Sequence, residues 1–268
     1  MKKIFAAIMT LAALVSCTSN QKSKTLVLYY SQTGATKTVA EAIANKLGAD
    51  IEAFDVVEPY DGTYEETIQR CQDEMSSGDA LAALKELKSD VSKYETIFIG
   101  YPVWFGTCAR PVMSLSKKVS LEGKTVVPFC TFGSGGLEAS TKALQALFPK
   151  ANVQNGFGIR NARIANVDRE VKQFLAENAF TDDIREVMHE FSEMEALSDQ
   201  TLEIFNQACG SYPMPIGTPL SVCSRSRVGG TEYLYNVESQ DANGNPALAQ
   251  VYVLAQNGIA PEFTRVVR

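Results

Sequence analysis

The sequence of 268 residues holds a single histidine and a single tryptophan, and its six cysteines include no C-x-x-C pair. Zinc and other transition-metal sites draw on clustered His and Cys, so no metal centre is expected. His189 falls in a segment that reads as helical, has no second ligand nearby, and reads as a surface side chain. Basic clusters are also missing. The 25 Lys and Arg are outnumbered by 31 Asp and Glu, for a formal charge of −6, so nothing favours nucleic-acid binding. No apolar run reaches the roughly 20 residues that a membrane-spanning helix needs. There is no Gly-Lys-Ser/Thr ending of a Walker loop, and Gly156-Phe157-Gly158 lacks the third glycine of a dinucleotide fingerprint.

What the chain does carry begins at its first residues. Lys2 and Lys3 precede an apolar run from Ile4 to Val15 that stops at Ser16-Cys17, the order of parts found in a secretion signal. The junction Leu14-Val15-Ser16-Cys17 resembles the lipobox of bacterial lipoproteins, which implies cleavage before Cys17 and lipidation of that residue. Residues 1–16 are then a signal peptide and 17–24 a polar tether, and the expected location is the cell envelope, lipid-anchored and outside the cytoplasm. Loss of the two lysines takes the charge from −6 to about −8. The other cysteines are Cys71, Cys108, Cys130, Cys209 and Cys223. An oxidising compartment permits a disulfide, and Cys209 with Cys223 is the expected pair because both fall in the C-terminal region.

From Thr25 short apolar strands alternate with amphipathic helices, the pattern of a parallel sheet covered on both faces. Strands are expected at 25–30, 51–57, 96–100, 125–130 and 152–159. Helices are expected at 36–47, 64–87, 110–119, 137–148 and 167–179, with Gly48 capping the first. The fold class is α/β, a doubly wound five-stranded parallel sheet spanning 25–179. A small α+β domain follows over 181–268: a helical region from Asp182 to Ala208, then four antiparallel strands at 219–227, 232–239, 247–256 and 259–267. Gly229-Gly230, Asn243-Gly244 and Asn257-Gly258 mark the hairpins between those strands.

Three loops carry the chemistry. Ser31-Gln32-Thr33-Gly34-Ala35-Thr36 lies between the first strand and first helix, where backbone N–H groups and neutral hydroxyls suit a phosphate monoester. The run Val27 to Thr36, continuing through Ala40 to Ile43, is similar to the FMN-phosphate signature of the flavodoxins. That resemblance implies the strand order 2-1-3-4-5. It also implies that the hydroxyls of Ser31, Thr33 and Thr36, with the N–H groups of Gln32, Thr33, Gly34, Ala35 and Thr36, hold the phosphate of FMN. The second loop, Tyr101-Pro102-Val103-Trp104-Phe105-Gly106-Thr107, leaves the carboxyl end of the third strand, where open α/β sheets bind ligands. In flavodoxins the matching loop covers the isoalloxazine, so Pro102, Val103, Trp104, Phe105 and Gly106 are candidate cofactor residues and Trp104 the stacking one. The third loop, Thr131-Phe132-Gly133-Ser134-Gly135-Gly136, resembles the one that meets the pyrimidine edge of the ring. Phe105 departs from the pattern: short-chain flavodoxins often carry glycine there, whose peptide turns as the flavin is reduced. A β-carbon raises the cost of that turn, which argues against a one-electron carrier.

The resemblance implies an FMN-binding flavoprotein that acts in electron transfer or as an oxidoreductase, with a small-molecule or protein redox partner; no catalytic residue is assigned. The alternative is a non-catalytic envelope lipoprotein that keeps the fold and uses the C-terminal domain for recognition. Cys108 and Cys130 flank the candidate site and read as small buried hydrophobes.

Overall fold

A computed structural model describes residues 24–77, 81–241 and 244–268. The signal, the lipobox and Cys17 lie outside the described residues. The first sheet contains β1 (Thr25–Tyr29), β2 (Asp50–Ala53), β3 (Thr96–Trp104), β4 (Thr107–Cys108), β5 (Thr125–Phe132), β6 (Asn152–Val153) and β7 (Phe157–Arg160). Its parallel strands run in the order β2-β1-β3-β5, with β6 and β7 sharing the place beyond β5. This is the doubly wound arrangement expected. The residues at 152–159 form two strands rather than one. Val153 pairs with Val126 and Phe157 with Phe129, so one extra residue bulges out opposite Pro128, which has no N–H to extend the ladder.

Helices α1 (Ala35–Leu47) and α5 (Val167–Glu177) cover one face of this sheet. The other face packs against α3 (Arg110–Lys118) and α4 (Leu137–Leu147). In α1 the stripe Val39, Ala40, Ile43 and Ala44 is buried against Val27 and Phe98, and Gly48 ends the helix in the left-handed region at φ 58°. Helix α2 (Tyr64–Ser76) starts at a capping box formed by Thr63 and Glu66. It stops eleven residues short of the expected Leu87. Residues 81–87 are extended because Val57 N–H donates to the Ala83 carbonyl (2.7 Å) and Lys85 N–H to that of Asp55 (2.8 Å). Long-range pairing outweighs the helical propensity of that stretch.

The second sheet is antiparallel in the order β12-β11-β10-β9-β8. Its meander is β9 (Thr218–Arg227), β10 (Gly230–Gln240), β11 (Pro246–Gln256) and β12 (Glu262–Val267), preceded by the short β8 (Glu195–Ala196) and by α6 (Asp199–Cys209). Helix α6 buries Phe205 and Cys209 against Tyr235, Val251 and Phe263. The expected helix over 182–208 is thus confined to its last third. Residues 182–194 instead cross the opposite sheet face, where Glu186 pairs with Arg227 (2.9 Å) and Phe191 lies between Arg225 and Tyr252. His189 is exposed in this irregular segment and not in a helix. Cys209 and Cys223 are both free and buried, so the expected disulfide is absent; burial raises both thiols, Cys209 to about 12.

Candidate functional site

The carboxyl ends of β1, β3 and β5 bring the three loops to one edge of the parallel sheet. At the β1 end, Ser31 Oγ accepts from the N–H groups of Gly34 (3.1 Å) and Lys37 (3.2 Å) and so shapes the turn into α1. Gly34 occupies the N-cap at φ 95°, a conformation that L side chains rarely adopt, and a Cβ there would meet open space. The N–H groups of Ala35 and Thr36 find no protein acceptor among the described residues, leaving donors aimed out of the helix end as an anion nest requires. Thr33 is exposed beside them.

Two members of the loop are committed elsewhere. Thr36 is buried and its hydroxyl bonds that of Thr131 (2.9 Å), tying the nest to the end of β5. The Gln32 side chain donates to the Tyr60 carbonyl (2.7 Å) and the Thr67 hydroxyl (3.1 Å). It therefore anchors the loop to the segment before α2, while its backbone stays in the nest.

The second expected loop is in fact a β-hairpin. Strand β3 runs on to Trp104 and turns back through Phe105-Gly106 into β4, with Trp104 paired to Thr107 and Val103 to Cys108. Both turn residues have positive φ, 51° for Phe105 and 75° for Gly106, the signature of a type I′ turn. This corrects the reasoning about Phe105: its backbone already stands in the left-handed region, so the cost of a β-carbon there is met on folding. The phenyl ring is 53% exposed at the tip. Trp104 is half-buried, edge-on to Tyr60 (5.0 Å between ring centres) and Tyr30 (5.8 Å). Two tyrosines of the protein thus hold the edge of the indole in place.

Behind Trp104 stands a network that sequence reading missed. Glu74 accepts from the Tyr60 hydroxyl (2.7 Å), Arg70 Nε (3.1 Å) and Arg110 Nε (2.9 Å), and the Arg70 guanidinium lies 3.8 Å over the Tyr60 ring. Burial, with the bond to Glu74, pushes the Tyr60 hydroxyl well above its usual range, so it remains a donor. The i, i+4 spacing of Arg70 and Glu74 was the available signal; nothing local pointed to Arg110. Cys108 and Cys130 are buried and free, and burial raises both thiols. Neither presents a thiolate for chemistry at ordinary pH.

The glycine loop after β5 is held between two elements. A Cβ on Gly136 would meet Val103 of the hairpin at 2.7 Å, and one on Gly135 would meet the Val266 carbonyl of β12. On this loop opens a pocket of about 370 Å³, walled by Val103, Gly106, the segment 132–136, Glu138, Tyr212 and residues 266–268. That volume lies within the range of small-molecule sites. A larger hollow of about 620 Å³ beside α2 is lined by Glu58, Glu66, Asp73 and Glu74 against Arg70, whose guanidinium is already paired with Glu74. The nest, the hairpin and the glycine loop stand on one edge of the sheet, and the Thr36–Thr131 bond ties the nest to the start of the loop on which the pocket opens.

The family profile described as Flavodoxin matches residues 24–178. A protein named as a flavoprotein from Bacteroides eggerthii is 29% identical, covering 59% of this chain and 99% of its own, with a TM-score of 0.52. One from Bacteroides uniformis is 28% identical over 57% of this chain and 99% of its own, with a TM-score of 0.51. A flavoprotein from Lactobacillus acidophilus, solved in complex with FMN, is 27% identical over 55% and 98%, with a TM-score of 0.47. No curated protein matches the chain. The second sheet lies outside the matched segment.

Proposed function

The chain belongs to the flavodoxin family, and from that premise we propose that it binds FMN and serves as an oxidoreductase or electron carrier of the cell envelope. The observation that carries this reading is the unpartnered N–H pair of Ala35 and Thr36 at an open helix start, on the same sheet edge as the hairpin and the glycine loop. FMN supplies the redox chemistry when bound, and the protein sets its orientation and surroundings. The nest grips a phosphate monoester with N–H groups and the Thr33 hydroxyl. The hairpin 101–107 and the loop 131–136 confine the ring from two sides, and the glycines of that loop let its backbone come close to the ring.

The preference for FMN over FAD rests on the nest, which ends in a monoester site and has no dinucleotide glycine pattern. Heat release of the bound flavin and its identification by chromatography test the reading: FMN is expected, and FAD as the main species, or a colourless protein that takes up no flavin, refutes it. Envelope location rests on Cys17 and the lipobox resemblance. Among the described residues no helix is long and apolar enough to cross a membrane. The expected outcome for Cys17→Ala in the native host is release from the membrane fraction, and a mutant that stays in the pellet defeats the anchor.

A further inference from the structure

The pocket at the ring site is built by both sheets, and its outer wall comes from the part of the chain that the family does not include. Tyr212, between α6 and β9, and residues 266–268 at the end of β12 face the hairpin and the glycine loop across the cavity. We propose that the C-terminal domain is part of the flavin site: Tyr212 and the strand end Val266 to Arg268 form the wall against which the ring is held. The inference rests on the FMN reading above and adds residues to it that the flavodoxin resemblance does not assign.

The contact is constructed rather than incidental. Val266 N–H donates to the Ser134 carbonyl (2.8 Å) and Gly135 forms a parallel bridge with Val266, so β12 adds on to the glycine loop by main-chain pairing. Only glycine at 135 permits that approach, because a side chain would collide with the Val266 carbonyl. Arg160, at the end of β7, clamps the two domains. Its Nε donates to the Gly133 carbonyl (2.8 Å) and its terminal nitrogen to the Phe263 carbonyl (2.7 Å). The same guanidinium lies 4.1 Å from the Phe263 ring centre and 5.1 Å from that of Tyr212. Next to it, buried Arg163 pairs with Glu262 (3.1 Å) and with Glu170 (2.8 Å). These bonds fix the wall in register with the loop that meets the ring. A domain joined only as a tethered neighbour would not lodge a half-buried arginine between a carbonyl of the glycine loop and one of β12.

The wall has two consequences for the chain's own residues. It shields the ring edge beside 133–136 from water, and it places the Tyr212 ring and hydroxyl within reach of whatever fills the pocket; the hydroxyl oxygen stands 3.6 Å from where a Cβ of Gly133 would lie. The test uses the full chain, with FMN added to flavin-free protein and followed by fluorescence. Tyr212→Ala opens the wall, and Val267→Trp fills the cavity; each variant is checked for native circular dichroism. Expected results are an FMN Kd at least tenfold weaker in both, and in Tyr212→Ala a severalfold rise in iodide quenching of the bound flavin. If wild-type protein binds FMN, and a folded variant of either kind keeps its Kd within twofold and its quenching unchanged, the wall is refuted while the cofactor reading stands. If wild-type protein takes up no FMN, the cofactor reading falls and the wall with it.

Discussion

Glu74 holds the back of the flavin site, and its removal is the sharpest perturbation the structure offers. Its carboxylate is 13% exposed and accepts from Arg110 (side chain 9% exposed), Arg70 (29%) and the Tyr60 hydroxyl. Taking one partner from a buried charge pair costs about 3–5 kcal/mol. The lower end applies here. Arg70 is open enough to regain water, so its share is discounted, and Arg110 keeps its second bond, to the Glu74 backbone carbonyl (3.2 Å), which alanine also provides. Glu74→Ala should therefore cost about 3 kcal/mol, a fall in Tm of about 6–12 °C for a chain of this size by scanning fluorimetry. Tyr60 is freed at the same time. Because its ring supports Trp104 and its carbonyl holds Gln32, FMN affinity should fall together with Tm, although Glu74 does not line the ring pocket. A Tm drop of less than about 2 °C, or a large drop with unchanged FMN affinity, would refute the claim that this network supports the site.

Thr36 and Thr33 should separate stability from binding. Thr36→Val breaks the buried hydroxyl pair with Thr131 and should cost about 1–3 kcal/mol in urea denaturation, whereas exposed Thr33→Ala should leave stability within about 0.5 kcal/mol and weaken FMN by about 1–3 kcal/mol in a fluorescence titration; the reverse pattern would contradict the assigned roles. Glu186 is held below its usual range chiefly by the bond to Arg227. Its stabilisation is thus present above the ordinary glutamate pKa of about 4.3 and lost as pH falls below it, and Glu186→Gln should flatten the acid limb of a Tm-against-pH curve; an unchanged limb would show that the pair contributes nothing. The described cysteines are buried and free, so native protein reduced and oxidised should run alike on non-reducing gels, with Cys71, Cys108, Cys130, Cys209 and Cys223 reacting with a thiol reagent only after denaturation. A Cys209-Cys223 crosslink found by peptide mapping would overturn this.

Features set by neighbouring residues are legible in the amino-acid sequence. The α1 stripe Val39, Ala40 and Ile43, the stop at Gly48 and the phosphate turn 31–36 each depend on a few adjacent positions whose periodicity or conformational demand is visible in the residue types. The meander of the second sheet is legible for the same reason, since its glycine turns punctuate alternating strands. Other features depend on partners far along the chain. Pro102 and Gly106 read as loop punctuation, but pairing of Val103 with Cys108 carries β3 through Pro102 to Trp104 and leaves Gly106 in a two-residue turn. The stretch 182–194 reads as helix, but Arg225, Arg227 and Tyr252 draw it across a sheet face. Most remote is the contact between the glycine loop and β12, secured by Arg160 reaching a carbonyl 103 residues away. Residue types mark 131–136 as a backbone-permissive loop, yet what approaches it is another backbone, Val266, and main-chain pairing leaves no mark in the side chains of either partner. Tertiary packing alone decided that the second domain would form a wall of the site.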